Sequence, residues 1–159
     1  MKKIIFFIFG LFSVISFAEA KKNEYELIYN EWKKIFSENK EEVVVGIYNI
    51  GEKKLKSCIP IILTLLDDDS VVWLKCDGYG KWTKISKEVK EAVIKIGKDS
   101  LKYILNLLKD EYPYVAIYEG VEQKLIDIIS KITEKKFENI EDCKGYLEEI
   151  FSNGTKGES

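Results

Sequence analysis

The chain has 159 residues, of which 33% are charged and 46% hydrophobic, and its formal net charge is −2. So small a charge gives no electrostatic argument for nucleic acid or an anionic membrane as partner. Histidine is absent and every basic residue is lysine. That excludes Ser-His-Asp and Cys-His catalysis, histidine metal sites, and bidentate arginine recognition of phosphate or guanine.

Lys2 and Lys3 precede a run from Ile4 to Phe17 that is apolar apart from Gly10, Ser13 and Ser16. Ala18-Glu19-Ala20 then places small residues at the cleavage-determining positions, the pattern of a secretory signal peptide spanning residues 1–20 and cut after Ala20. The run is shorter than the ~20 residues that cross a bilayer, and no later stretch is apolar enough to do so. The mature chain is therefore expected in the periplasm or outside the cell, without a membrane span. Losing Lys2, Lys3 and Glu19 moves its net charge from −2 to −3. Residues 21–152 suit one domain.

Helical spacing dominates the mature chain. From Glu24 to Glu38, Ile28, Trp32, Ile35 and Phe36 predict an amphipathic helix. Lys40 to Ile50 carries Val43, Val44, Ile47 and Ile50, with Gly51 as the expected C-terminal cap. The next helix holds Ile59, Ile62, Leu63 and Leu66, with Pro60 near its start and Ser57 as N-cap. Asp67-Asp68-Asp69-Ser70 reads as a solvated turn, because it lacks the alternating ligands, glycine and distal glutamate of a calcium loop.

A short helix is predicted over Val71–Lys75, broken by Asp77-Gly78-Tyr79-Gly80. Val89, Ala92, Val93 and Ile96 form a face that ends at Gly97. Leu101, Ile104, Leu105 and Leu108 form the next, with Asp99 or Ser100 as N-cap. Pro113 opens a helix through Thr133 that carries Tyr118, Val121, Leu125, Ile128, Ile129 and Ile132. A last helix runs from Ile140 to Phe151, with Asn139 as N-cap and a stripe of Ile140, Cys143, Leu147 and Ile150. Residues 153–159 form a polar, flexible tail.

Two of these stretches repeat one another. Ile50-Gly51, Leu55, Ile61-Ile62-Leu63 and Leu65-Leu66-Asp67-Asp68 recur as Ile96-Gly97, Leu101, Tyr103-Ile104-Leu105 and Leu107-Leu108-Lys109-Asp110. A period of roughly 40–47 residues is that of helix pairs stacked into a solenoid, each burying an apolar face against the next. The fold class expected is all-α, a short α-solenoid of antiparallel helix pairs.

The segment Glu91–Leu101, continuing through Leu107-Leu108-Lys109-Asp110 to Val115, resembles a HEAT repeat, and Ile50–Trp73 is similar with one extra turn. Val72-Trp73-Leu74, Gly78, Trp82-Thr83 and Glu88–Gly97 resemble bacterial HEAT proteins whose second helix is interrupted by a Gly-aromatic loop. Ile132–Phe137 and the last helix resemble their closing segment. No arginine stands after Val72 or Val115, where that family commonly has one. The resemblance implies a helical solenoid offering a surface to macromolecules, with the Trp32 and Leu147 helices as caps. It carries over no catalytic residue, metal or cofactor.

The candidate contacts are aromatic. Tyr79, between two glycines, and Trp82 are expected to be exposed anchors, since rigid rings give contact area at small entropic cost, while Trp73 is expected to cover the core. Tyr112 and Tyr114 form a second candidate group. Cys143 reads as core, and a Cys58–Cys76 disulfide suits an oxidising compartment. The leading expectation is an exported, non-enzymatic module binding another protein. The alternatives are a cell-envelope glycan- or lipid-binding module and, last, a carboxylate-based hydrolase.

Overall fold

The computed structural model describes residues 22–76, 79–109 and 119–154. The expected signal peptide, residues 1–20, and the candidates Tyr112 and Tyr114 lie outside them. In chain order the elements are α1 (residues 22–35), α2 (Lys40–Glu52), a 3-10 turn (Lys56–Cys58), α3 (Ile59–Leu63), β1 (Val71–Cys76) and β2 (Tyr79–Lys84). Next come α4 (Ile85–Ile96), a 3-10 turn (Gly97–Ser100), α5 (Leu101–Leu108), α6 (Glu119–Thr133) and α7 (Ile140–Gly154). The molecule is mostly helical.

The helix expected over Val71–Lys75 is instead a strand. It pairs antiparallel with β2, from Val71 opposite Lys84 to Cys76 opposite Tyr79. Two runs rich in β-branched and aromatic residues flank Asp77-Gly78, a dipeptide suited to the tight turn of a hairpin. Among the described residues the helices are thus joined by one small two-stranded sheet.

α2 lies against α4 and α4 against α6, while α5 and α6 both contact α7. The predicted apolar faces supply the core. Val43, Val44, Ile47, Ile50, Ile59, Ile62, Leu63 and Leu66 are buried, as are Val89, Val93, Ile104, Leu125, Ile128 and Leu147. Cys143 is buried as expected, and burial with nearby Asp142 pushes its thiol up to about 11. Cys58 is also a buried free thiol, and the side chain of Cys76, the other half of the expected disulfide, lies outside the described residues. Burial raises the Cys58 pKa, although the Trp32 side chain hydrogen-bonds to the sulfur.

The two Ile-Gly pairs have different roles. Gly97 ends α4 as expected, at φ 80°, where an L side chain is strained. Gly51 does not cap. It lies inside α2, where a Cβ would come 2.8 Å from the Ala92 Cα, so α2 and α4 touch nearly backbone to backbone. The chain reverses instead at Lys54, φ 50°. This accounts for the extra turn in the first copy.

The caps differ similarly. Ser57 and Ser100 sit in the 3-10 turns and neither α3 nor α5 has a side-chain cap; Ser100 Oγ donates back to the Gly97 carbonyl at 2.6 Å. α4 is capped by backbone, with the Ile85 and Ser86 N–H groups donating to the Ser70 and Asp68 carbonyls at 3.2 and 2.8 Å. Asn139 caps α7 as expected, accepting from the Asp142 N–H at 2.9 Å. That helix continues through Gly154, into the expected tail.

α1 is rotated relative to its predicted stripe. Ile35 is buried and Leu27 and Ile28 partly so, while Trp32 and Phe36 are exposed. The most buried residue of that face is Glu31. Its carboxylate accepts from Lys53 Nζ at 2.7 Å, Lys34 Nζ at 2.9 Å and Asn49 Nδ2 at 3.1 Å, which fastens α1 to α2. Burial opposes ionisation, but these donors outweigh it and hold the Glu31 pKa below 4.5.

Two expected outcomes test this packing. Gly51→Ala should destabilise by about 1–2 kcal/mol, because overpacking exceeds the helix-propensity gain, whereas Gly145→Ala, exposed with nothing near its Cβ, should stabilise by up to about 1 kcal/mol. Urea unfolding midpoints decide the signs. Glu31→Gln should cost about 1–3 kcal/mol at pH 7. Because the folded-state pKa is depressed, that contribution is complete above the unfolded value and fades as pH falls through the folded one. The wild type and Glu31→Gln should therefore converge in pH-dependent unfolding once the pH falls below that depressed folded-state value.

Candidate functional site

The hairpin has an inner and an outer face, because alternate residues of a strand point to opposite sides. Val72 and Thr83 are directly paired and buried, with Leu74 partly buried beside them. The other face presents Val71, Trp73 and Lys75 opposite Lys84, Trp82 and Gly80. Trp73 is 41% exposed and Trp82 67%. Their rings are cross-strand neighbours, with centroids 4.9 Å apart and planes inclined by 56°.

Gly80 makes this arrangement possible. A Cβ there would fall 1.7 Å from Trp73 Cζ2, so the indole lies flat over the bare backbone diagonally across from it. Trp73, expected in the core, is instead half of an exposed pair. The signal for it was the Trp-x8-Trp spacing around Asp-Gly, which puts the two indoles in register once the turn is a two-residue one. Tyr79 begins β2 opposite Cys76 instead of sitting in a loop.

The inner side of β2 is pinned to α4. Glu88, 3% exposed, accepts at Oε1 from Thr83 Oγ1 at 2.7 Å and from Lys81 Nζ at 3.1 Å. Beneath the hairpin, Val44, Val45 and Tyr48 of α2 with Leu74, Lys75, Lys81 and Glu88 line a cleft of about 330 Å³. The outer aromatic face thus stands over an apolar cleft with a charged rim.

The acidic turn before the hairpin is more than a solvated link. Asp68 Oδ1 accepts from the Ser70 N–H at 2.9 Å, and Lys124 Nζ reaches Asp69 Oδ1 at 2.8 Å and the Leu66 carbonyl at 3.1 Å. Ser86 Oγ also donates to Asp69. Lys124 and Ser86 hold the Asp69 carboxyl below its ordinary value. The turn therefore joins the hairpin base to α4 and α6. No helix among the described residues is long and apolar enough to cross a membrane.

Gly80→Val should drive the Trp73 indole off its seat. The exciton-coupled indole band in circular dichroism should disappear with it, as in Trp82→Ala, while the helical signal persists. Retention of the band in Gly80→Val would contradict the stacking described.

No family model, curated protein or solved structure matches this chain.

Proposed function

We propose that this chain is an exported, non-enzymatic helical-repeat protein that binds another protein, with Trp73 and Trp82 as the anchors of the contact. The observation that carries the reading is the exposed tryptophan pair on a hairpin fixed from behind. Exposed indoles have a solvation cost that a buried core would not impose, and such rings dominate binding energy when a partner covers them. Their backing is rigid, with Val72 and Thr83 in the core and Glu88 holding β2 from below.

A short α-solenoid of HEAT-like pairs is the architecture we infer. Each of α2 and α4 carries an Ile-Gly near its end and is followed by a 3-10 turn and a short helix, α3 or α5. The contacts of α2 with α4, α4 with α6, and α5 with α7 suit two stacked layers. The lack of histidine and arginine supports a binding role over an enzymatic one. The hairpin takes the place of the interrupted second helix expected from the resemblance.

A glycan partner is the second reading, favoured by one observation: Trp82 at 67% exposure presents a ring against which a sugar face can stack. Photo-crosslinking from position 84, on the same face as Trp82, separates the two. Protein binding expects reproducible adducts with one or a few exported proteins, lost in a Trp73→Ala/Trp82→Ala variant of unchanged helicity. Adducts confined to cell-wall fragments would favour the glycan, and no Trp-dependent adduct at all would remove the proposal.

A further inference from the structure

A second aromatic surface among the described residues is on α1, remote in sequence from the hairpin. Tyr25, Tyr29, Trp32 and Phe36 are 70%, 68%, 41% and 67% exposed. They succeed one another at steps of four, three and four, so at 100° per residue they form a stripe about 60° wide along the helix and its last turn. Trp32 and Phe36 already meet edge to face, with centroids 6.5 Å apart. This stripe borders the buried face of Leu27, Glu31 and Ile35, and the described residues leave it exposed.

We infer that this stripe is the seam of a homodimer in which α1 packs antiparallel against α1 of a second copy. Three observations select that occupant. The alternating four-three step is that of the a and d positions of a two-helix seam, and the stripe is narrower than the face a helix lays on a membrane. The seam is self-complementary: with Tyr25 opposite the second copy's Phe36, Tyr29 falls opposite its Trp32, and two-fold symmetry repeats both pairs.

The charges beside the seam agree with the same register. Glu26 and Lys33, both exposed, each come directly after a d-type position and so share one edge of the stripe. In the antiparallel pairing each faces the opposite charge on the second copy, two ion pairs in all. Eight aromatic rings remove roughly 1,000 Å² from water, near the lower bound of a specific interface, so the dimer expected is a weak, roughly micromolar one.

Sedimentation equilibrium of the mature chain, residues 21–159, tests this. The expected result is a dimer at tens of micromolar that Tyr29→Ser/Phe36→Ser converts to a monomer with unchanged helical circular dichroism. Glu26→Lys and Lys33→Glu should each weaken association about tenfold by placing like charges opposite one another. An equimolar mixture of the two should restore it, since both cross-pairs are then opposite in sign. A chain that stays monomeric, or a dimer indifferent to either the aromatic or the charge substitutions, overturns the inference. So does a monomer that binds phosphatidylglycerol vesicles with a blue shift of Trp32 emission in a Trp73→Phe/Trp82→Phe background, which would assign the stripe to lipid.

Discussion

The closeness of α2 to α4 at Gly51 and Ala92 governs the rest of the structure. Two helices usually pack with axes 8–10 Å apart, and only small residues at the contact allow the lower end of that range. With a Cβ excluded at Gly51, α2 continues through its glycine, and reversal waits for Lys54. The chain then has room for the 3-10 turn and the short α3 that seats Ile59, Ile62 and Leu63 in the core. Beside the same contact, Glu52 pairs with Lys95, whose ammonium lies 5.9 Å from the centre of the Tyr48 ring. These exposed groups add orientation more than stability.

The helical core was legible because its signal is redundant. Val89, Ala92, Val93 and Ile96 each fall on the 3.6-residue face, and an error at one leaves the stripe readable. The hairpin was not, because both faces of its first strand are apolar. Val71 and Trp73 point outward as Val72 and Leu74 point in, so the alternation that marks a half-buried strand is missing from the letters. α1 failed for a related reason. Trp32 and Phe36 fit a hydrophobic stripe with Ile28, and periodicity alone does not reveal that a glutamate, one turn before Ile35, occupies the buried centre instead.

Identical letters also hid unlike geometry. Ile50-Gly51 and Ile96-Gly97 are the clearest part of the repeat, yet one glycine serves a close approach and the other a positive φ. A glycine's permissiveness and its lack of a side chain are separate properties, and a sequence shows only that both are on offer. The neighbouring helix decides which is used. Ala92, itself part of a predicted face, was the missing half of the Gly51 reading.

Two buried charged residues, Glu31 and Glu88, bear on the proposed binding more directly than the core does. Each belongs to, or holds, a peripheral element: Glu31 ties α1 to α2 through Lys53 and Asn49, and Glu88 ties β2 to α4 through Thr83 and Lys81. Both of those peripheral elements carry exposed aromatic rings. A face of tryptophan or tyrosine that moved freely would lose conformational entropy on binding, and much of the contact energy would offset that loss. Apolar packing holds such an element only in part, because its large aromatic side chains are left outside. A buried carboxylate with several donors fixes orientation as well as distance, and its removal leaves those donors to compete for water. If the two aromatic faces bind as proposed, the carboxylates are the inward half of each, and they set how much of the rings' contact area becomes affinity.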